Sequence, residues 1–129
     1  MTGAVGDATL RSFMNWADLE RGGRAADVLR HWRALGRFRH AHPAVGAGAH
    51  RELQARPYVF SRTLQLDGRV DRVIVAMDQG SGRKRIPVFD VFPDGTALVD
   101  AYSGARGTVA DGAVSLTSPT GLVLLAERR

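Results

Sequence analysis

Residues 58–77 read YVFSRTLQLDGRVDRVIVAM. Tyr58, Phe60, Leu64 and Leu66 share one parity, and Val59, Ser61, Thr63 and Gln65 share the other. That is the two-residue period of a strand. Asp67-Gly68 interrupts it, and a run rich in Val and Ile follows over 70–77. Asp and Gly tolerate the positive φ of a tight turn, so the stretch predicts a β-hairpin.

The same grammar continues downstream. Further strand-like runs lie at 85–92, 96–101, 107–110, 113–116 and 121–126, and Asp-Gly recurs at 94–95 and 111–112. Three hairpins predict an antiparallel meander, and seven or eight short strands predict a β-sandwich or small barrel. Residues 78–84, with Gly80 and Gly82 among polar neighbours, are expected to form a mobile loop between strands.

Upstream the period changes. Ala25, Val28, Leu29, Trp32 and Leu35 fall close to an i, i+3, i+4, i+7 pattern, while Arg30, Arg33 and Arg37 lie mostly off it. This predicts one amphipathic helix over about 24–41. His42-Pro43 ends it, because the residue before Pro leaves the α region and Pro has no N–H to donate. Gly46 and Gly48 then read as a flexible exit. Before the helix, Phe13, Met14 and Trp16 make an apolar knot in a polar, Gly-containing segment. The fold class expected is mainly β: an antiparallel Greek-key β-sandwich preceded by one amphipathic α-helix. The expected division is 1–48 and 49–129.

Composition narrows the function classes. With 129 residues, 44% of them hydrophobic and 24% charged, the chain has a globular make-up and is too short for a whole eightfold β/α barrel. No apolar run reaches the length of a membrane span, and the N-terminus has no basic region followed by an apolar one. No membrane partner and no export signal are therefore expected. The net charge of +5 comes from 18 basic residues, of which 17 are Arg and one is Lys84. Residues 1–56 hold nine Arg against five acids, and 57–129 hold nine bases against eight. This is too diffuse for a nucleic-acid surface, so no nucleic-acid partner is expected.

The chemistry-bearing residues are few. There is no Cys, which excludes thiol nucleophiles and cysteine zinc sites. His40-Ala41-His42 lies near His31 and His50, but without a metal-binding spacing, so no metal and no cofactor are expected. Asp67, Asp94 and Asp111 are turn residues; Asp71, Asp90 and Asp100 lie in or beside strands, where facing solvent is the plain expectation. No Ser has a His placed by a nucleophile motif. Sugar binding needs aromatic platforms, and the candidates are Trp16, Tyr58 and Tyr102. Leu29, Trp32 and Leu35 form a stripe that must be buried on something, which makes them the candidate interaction face.

Several strings also carry a resemblance. Gly6-Asp7-Ala8, Leu10-Arg11-Ser12 and Met14-Asn15-Trp16 resemble the segment after the last barrel strand of bacterial alpha-amylases. The segments 31–39 (HWRALGRFR) and 42–48 (HPAVGAG) are similar to the final barrel helix and its exit in those enzymes. Tyr58-Val59-Phe60-Ser61-Arg62, Phe92-Pro93-Asp94-Gly95-Thr96 and Asp100-Ala101-Tyr102-Ser103-Gly104 resemble their C-terminal β-domain. The order is colinear over nearly the whole chain.

This resemblance implies a non-catalytic accessory domain: last barrel helix plus C-terminal β-sandwich. The family's three catalytic acids and its calcium ligands lie upstream of everything matched, so it assigns no catalytic residue here and no activity to the chain alone. It implies an amylase catalytic barrel as partner, with α-glucan as a ligand, and an exported parent enzyme. A stripe without its barrel also exposes apolar area, so the alternative expectation is a self-associating protein–protein interaction module using the helix face.

Overall fold

Two of the three Asp-Gly pairs close hairpins by the same backbone device. Asp67 and Gly68 have φ of 51° and 73°, and Asp111 and Gly112 have φ of 50° and 66°. Positive φ at both central residues matches the twist of the strands they join. The third pair differs. Gly95 has φ of 87°, but the strands on either side of 94–95 do not pair with each other. Instead the Asp94 carboxylate accepts hydrogen bonds from the Asp111 and Gly112 amides, each at 3.0 Å. Asp94-Gly95 is thus a clamp on the Asp111-Gly112 turn rather than a hairpin of its own.

The computed structural model describes residues 16–128. The Phe13/Met14 part of the apolar knot and the strings at 6–15 lie outside the described residues. The chain divides into two compact units, Met1–Arg33 and Ala34–Arg129.

In the first unit, helix α1 (Trp16–Arg21) is followed by Gly22 and Gly23 at φ of 78° and 74°, a left-handed pair that ends it. Helix α2 (Arg24–Ala41) begins there and runs across the division. Asp18 pairs with Arg21 and Asp27 with Arg30, each one turn apart on its helix. These exposed pairs add a few tenths of a kcal/mol each.

The second unit opens with the end of α2. His42 donates its amide to the Phe38 carbonyl, Pro43 follows at φ −54°, and the short helix α3 (Ala44–Ala47) begins. Eight strands come next: β1 (Ala49–Gln54), β2 (Val59–Leu66), β3 (Arg69–Ala76), β4 (Gly82–Pro87), β5 (Ala97–Asp100), β6 (Arg106–Ala110), β7 (Ala113–Ser118) and β8 (Val123–Glu127). They pair in the order β1-β2-β3-β8-β5-β6-β7-β4, all antiparallel. Strands β8-β5-β6-β7 form a Greek key: three consecutive strands, with the fourth returned beside the first. The mainly β fold expected from the two-residue period is the one adopted.

The sheet curls so that both of its halves supply one core. Val59, Ile74, Ala76, Leu98, Val123 and Leu125 from one half meet Ile86, Val109, Val114 and Leu116 from the other, with Val88, Val91 and Phe92 from the β4–β5 connection. Burying a branched or aromatic side chain fully contributes about 1.5–3 kcal/mol. The opposite parity builds a second layer: Val73, Leu124 and Ala126 lie under Phe38 and Ala44, flanked by Leu35, Val45, Leu64, Val75, Tyr102 and Leu122. The central strands are therefore apolar on both faces over Val73–Ala76 and Val123–Ala126, which is why those short runs read as continuous rather than alternating.

Polar side chains hold the remaining joints. Arg51 of β1 pairs with Asp90 at 3.0 Å and lies over the Phe89 ring, tacking one sheet edge to the segment after the other edge strand. Residues 78–84 are not all loop: Gly82 begins β4, and Lys84 is a buried member of that strand. Gly48 is a contact point rather than a flexible exit. A Cβ there would stand 2.6 Å from the Ala44 carbonyl oxygen and 2.9 Å from the Thr63 carbonyl.

Candidate interaction face

The outer parity of β1, β2 and β3 is fixed by register. His50 faces Arg62, Glu52 faces Phe60, Phe60 faces Val75, and Leu64 faces Asp71. Cross-strand partners share a face, so this surface runs from polar and aromatic groups at the β1 edge to apolar ones beneath the helix end.

Three joints set how the helix end sits on it. Asp71 takes His42 Nδ1 at 2.8 Å on one oxygen, and its other oxygen accepts the Ala44 amide at 2.9 Å. That carboxylate caps α3 and orients the His42 ring, which packs 4.9 Å from Phe38. Arg62 donates to the Ala44 and Gly46 carbonyls at 3.3 and 3.4 Å, capping the other end of the same short helix.

Next to these lies an aromatic group. His50 Nε2 and Tyr58 Oη are 3.0 Å apart, with ring centroids 6.5 Å apart and planes 24° from parallel. Phe60 lies 4.7 Å from His50 and 5.5 Å from Tyr58, centroid to centroid. His50 is exposed, and Tyr58 and Phe60 are half-buried.

The residues singled out from the sequence are distributed as follows. Tyr58 sits in the aromatic group just described. Tyr102 is half-buried against the second core layer, and Leu35 packs against that layer too. Leu29 is half-buried and belongs to the first unit, as do Trp16 and Trp32, each 65% exposed. Val28 is also exposed, at 49%. Trp16, Tyr58 and Tyr102 thus form no common platform within the second unit, where only two of them lie.

Four carboxylates of the second unit, Asp71, Asp90, Asp94 and Asp100, are engaged. Asp100 was expected to face solvent and is instead fully buried. One of its oxygens accepts the Tyr102 and Leu124 amides at 3.0 and 2.8 Å; the other accepts the Ser103 amide and hydroxyl. It organises the β5–β6 turn and ties it to β8. Asp71 holds the helix end, Asp94 holds a turn, and Asp90 is the partner of Arg51. A cavity of about 500 Å³ lined by Pro43, Leu64, Leu66, Asp67, Val70 and Asp71 opens beside this face, but both Asp71 oxygens point to His42 and Ala44. Among the described residues, no group of three His, Cys, Asp or Glu side chains can hold a metal ion.

Comparisons with known proteins give little. No protein-family model matches the chain, and no curated protein matches it. Among solved structures the chain is similar to the crystal structure of AmyP in complex with maltose, with a TM-score of 0.46 and 24% identity. The match covers 68% of this chain and 18% of that one, so the chain spans less than a fifth of that protein's length.

Sequence reasoning missed His50 and Phe60 as members of a group. Phe60 shares a face with Tyr58 through the strand's own alternation, but only the β1–β2 register brings His50 to the pair. Strand β1, with its run of exposed His50, Arg51 and Glu52, gives no apolar signal of its own.

Proposed function

We propose that the chain is a non-catalytic accessory domain of an alpha-amylase-like glycoside hydrolase, stabilising the catalytic barrel and contacting α-glucan. The observation that carries the proposal is the uneven burial along helix α2. Its last turns, through Leu35 and Phe38, pack on the domain's own outer sheet layer, while Val28 and Trp32 in its first half are exposed. Large apolar side chains left open on a helix suit a protein neighbour that completes their burial. The resemblance of 31–48 to a last barrel helix and its exit supplies the kind of neighbour.

The test is association in trans. The purified chain is titrated into an alpha-amylase barrel that lacks its own C-terminal domain, and complex formation and barrel melting temperature are followed. Binding that raises the barrel's melting temperature, and is lost with Trp32→Glu, is the expected result. A chain that ignores the barrel but forms a dimer dispersed by Trp32→Glu would replace this proposal with self-association. Hydrolysis of soluble starch by the chain alone would overturn its non-catalytic part.

A further inference from the structure

We propose that the outer face of the β1–β2 hairpin is a carbohydrate-stacking site for one neutral pyranose unit, with His50, Tyr58 and Phe60 as its floor and the Glu52 carboxylate as its hydrogen-bonding wall. This deepens the glucan-contact part of the proposed function and rests on it only for the choice of sugar.

The geometry is that of a shelf formed by the His50 and Tyr58 rings, with Phe60 tilted 32° and 37° to them. The 6.5 Å between the His50 and Tyr58 centroids is close to the full in-line reach from one ring, through the 3.0 Å Nε2–Oη contact, to the other. With planes 24° apart, the two rings therefore lie side by side rather than face to face. Phe60 touches both and holds them from the strand. The hydrogen bond fixes both rings in one orientation, so little side-chain freedom is left to lose on binding. None of the three rings belongs to either buried core cluster, so the shelf is not a fragment of the interior.

The charged groups nearby select the ligand. Glu52 stands directly opposite Phe60 on the same face, is exposed, and has no ion-pair partner among the described residues. A carboxylate accepts hydrogen bonds from sugar hydroxyls and repels phosphate. Arg62, the cation nearest in register, is turned to the carbonyls of Ala44 and Gly46. A nucleotide has a base to stack but brings an anion to a carboxylate. A pyranose brings an apolar C–H face and a rim of neutral hydroxyl donors, which fits both halves of the site.

The experiment is a heteronuclear NMR titration of the folded chain with maltoheptaose, with cellohexaose, and with uridine monophosphate as a stacking control. The expected result is saturable shifts confined to His50, Glu52, Tyr58, Phe60 and their strand neighbours with one of the sugars. Tyr58→Ala should then weaken binding about tenfold, and Glu52→Gln, an exposed change that leaves the fold alone, several-fold. Cellohexaose at this site without maltoheptaose would keep the site and remove α-glucan from the proposed function. Maltoheptaose shifts centred elsewhere, such as Tyr102, would keep α-glucan and overturn the site. No saturable shift with either sugar, or a preference for the nucleotide, would also overturn it.

Discussion

Lys84 offers the sharpest test of how this domain is held together. It is the only lysine beside 17 arginines, it is 6% exposed, and its Nζ donates to the carbonyls of Gly80 at 2.7 Å, Ser118 at 3.1 Å and Thr120 at 2.6 Å. An ammonium has three N–H bonds that spread like a tripod, and here three carbonyls meet it. Consider Lys84→Met, which keeps the stem and removes the charge. Three hydrogen bonds from a charged donor contribute about 1.5–3 kcal/mol each, but taking the ammonium out of water costs several kcal/mol, which largely offsets them. What remains is the acceptors. The bonds to Gly80 and Thr120 are only part-buried, so those carbonyls can regain water, whereas the bond to Ser118 is buried. Leaving one buried carbonyl unmet costs about 1–3 kcal/mol. The expected loss is therefore about 2 kcal/mol, or roughly 10 °C in melting temperature for a domain of this size. Lys84→Arg should lose a similar amount, because a planar fork cannot converge on three carbonyls and its extra volume strains a filled site. Urea unfolding of both variants gives the answer. Stability within about 0.5 kcal/mol of the wild type for both would mean that the carbonyl cage contributes nothing.

Four further outcomes follow from the same geometry. Asp100→Asn should lose about 3 kcal/mol in urea unfolding, since an amide N–H₂ cannot accept the bonds that Ser103 supplies to that oxygen; wild-type stability would refute its organising role. Gly48→Ala should cost about 1–3 kcal/mol by overpacking against the Ala44 and Thr63 backbone, and an unshifted melting curve would show that the approach relaxes freely. Asp94→Ala should cost about 1 kcal/mol, as a lost cap does, with amide exchange speeding up at Asp111 and Gly112; protection unchanged there would count against the clamp. Trp32→Glu should leave the melting temperature of the isolated chain nearly unchanged, because the side chain is 65% exposed; a large loss would place Trp32 in the fold rather than on an interaction face.

What could be read from the amino acids was whatever is local. Asp67-Gly68 and Asp111-Gly112 announce their hairpins because the turn chemistry and the flanking runs sit together in the chain. His42-Pro43 marks the end of the helix for the same reason. Asp94-Gly95 carries the same two letters and behaves differently, because its carboxylate serves a turn 17 residues further on. Lys84 and Asp100 look like surface residues in their own neighbourhoods; only the packing of β4 on β7, and of β5 on β8, encloses them. The aromatic group follows this pattern. Tyr58 could be chosen as a candidate from its type, and the two-residue period puts Phe60 on its face, but His50 joins them through strand register, which no short stretch encodes.

The place of β8 carries a consequence for synthesis. Although it is the last strand in chain order, it lies between β3 and β5 and bonds to both: Ala126 stands opposite Val73 on one side and Val99 on the other. Until it arrives, β1-β2-β3 and β5-β6-β7-β4 share no backbone ladder, and the core they build together lacks Val123 and Leu125. A ribosome delivering this chain at about 5–20 residues per second therefore holds two unfinished halves until residue 127 clears the exit tunnel. Quality-control factors that read exposed apolar surface have their opportunity only before that moment, so a stop codon a few residues short of β8 would yield a product marked for degradation rather than a slightly weakened domain.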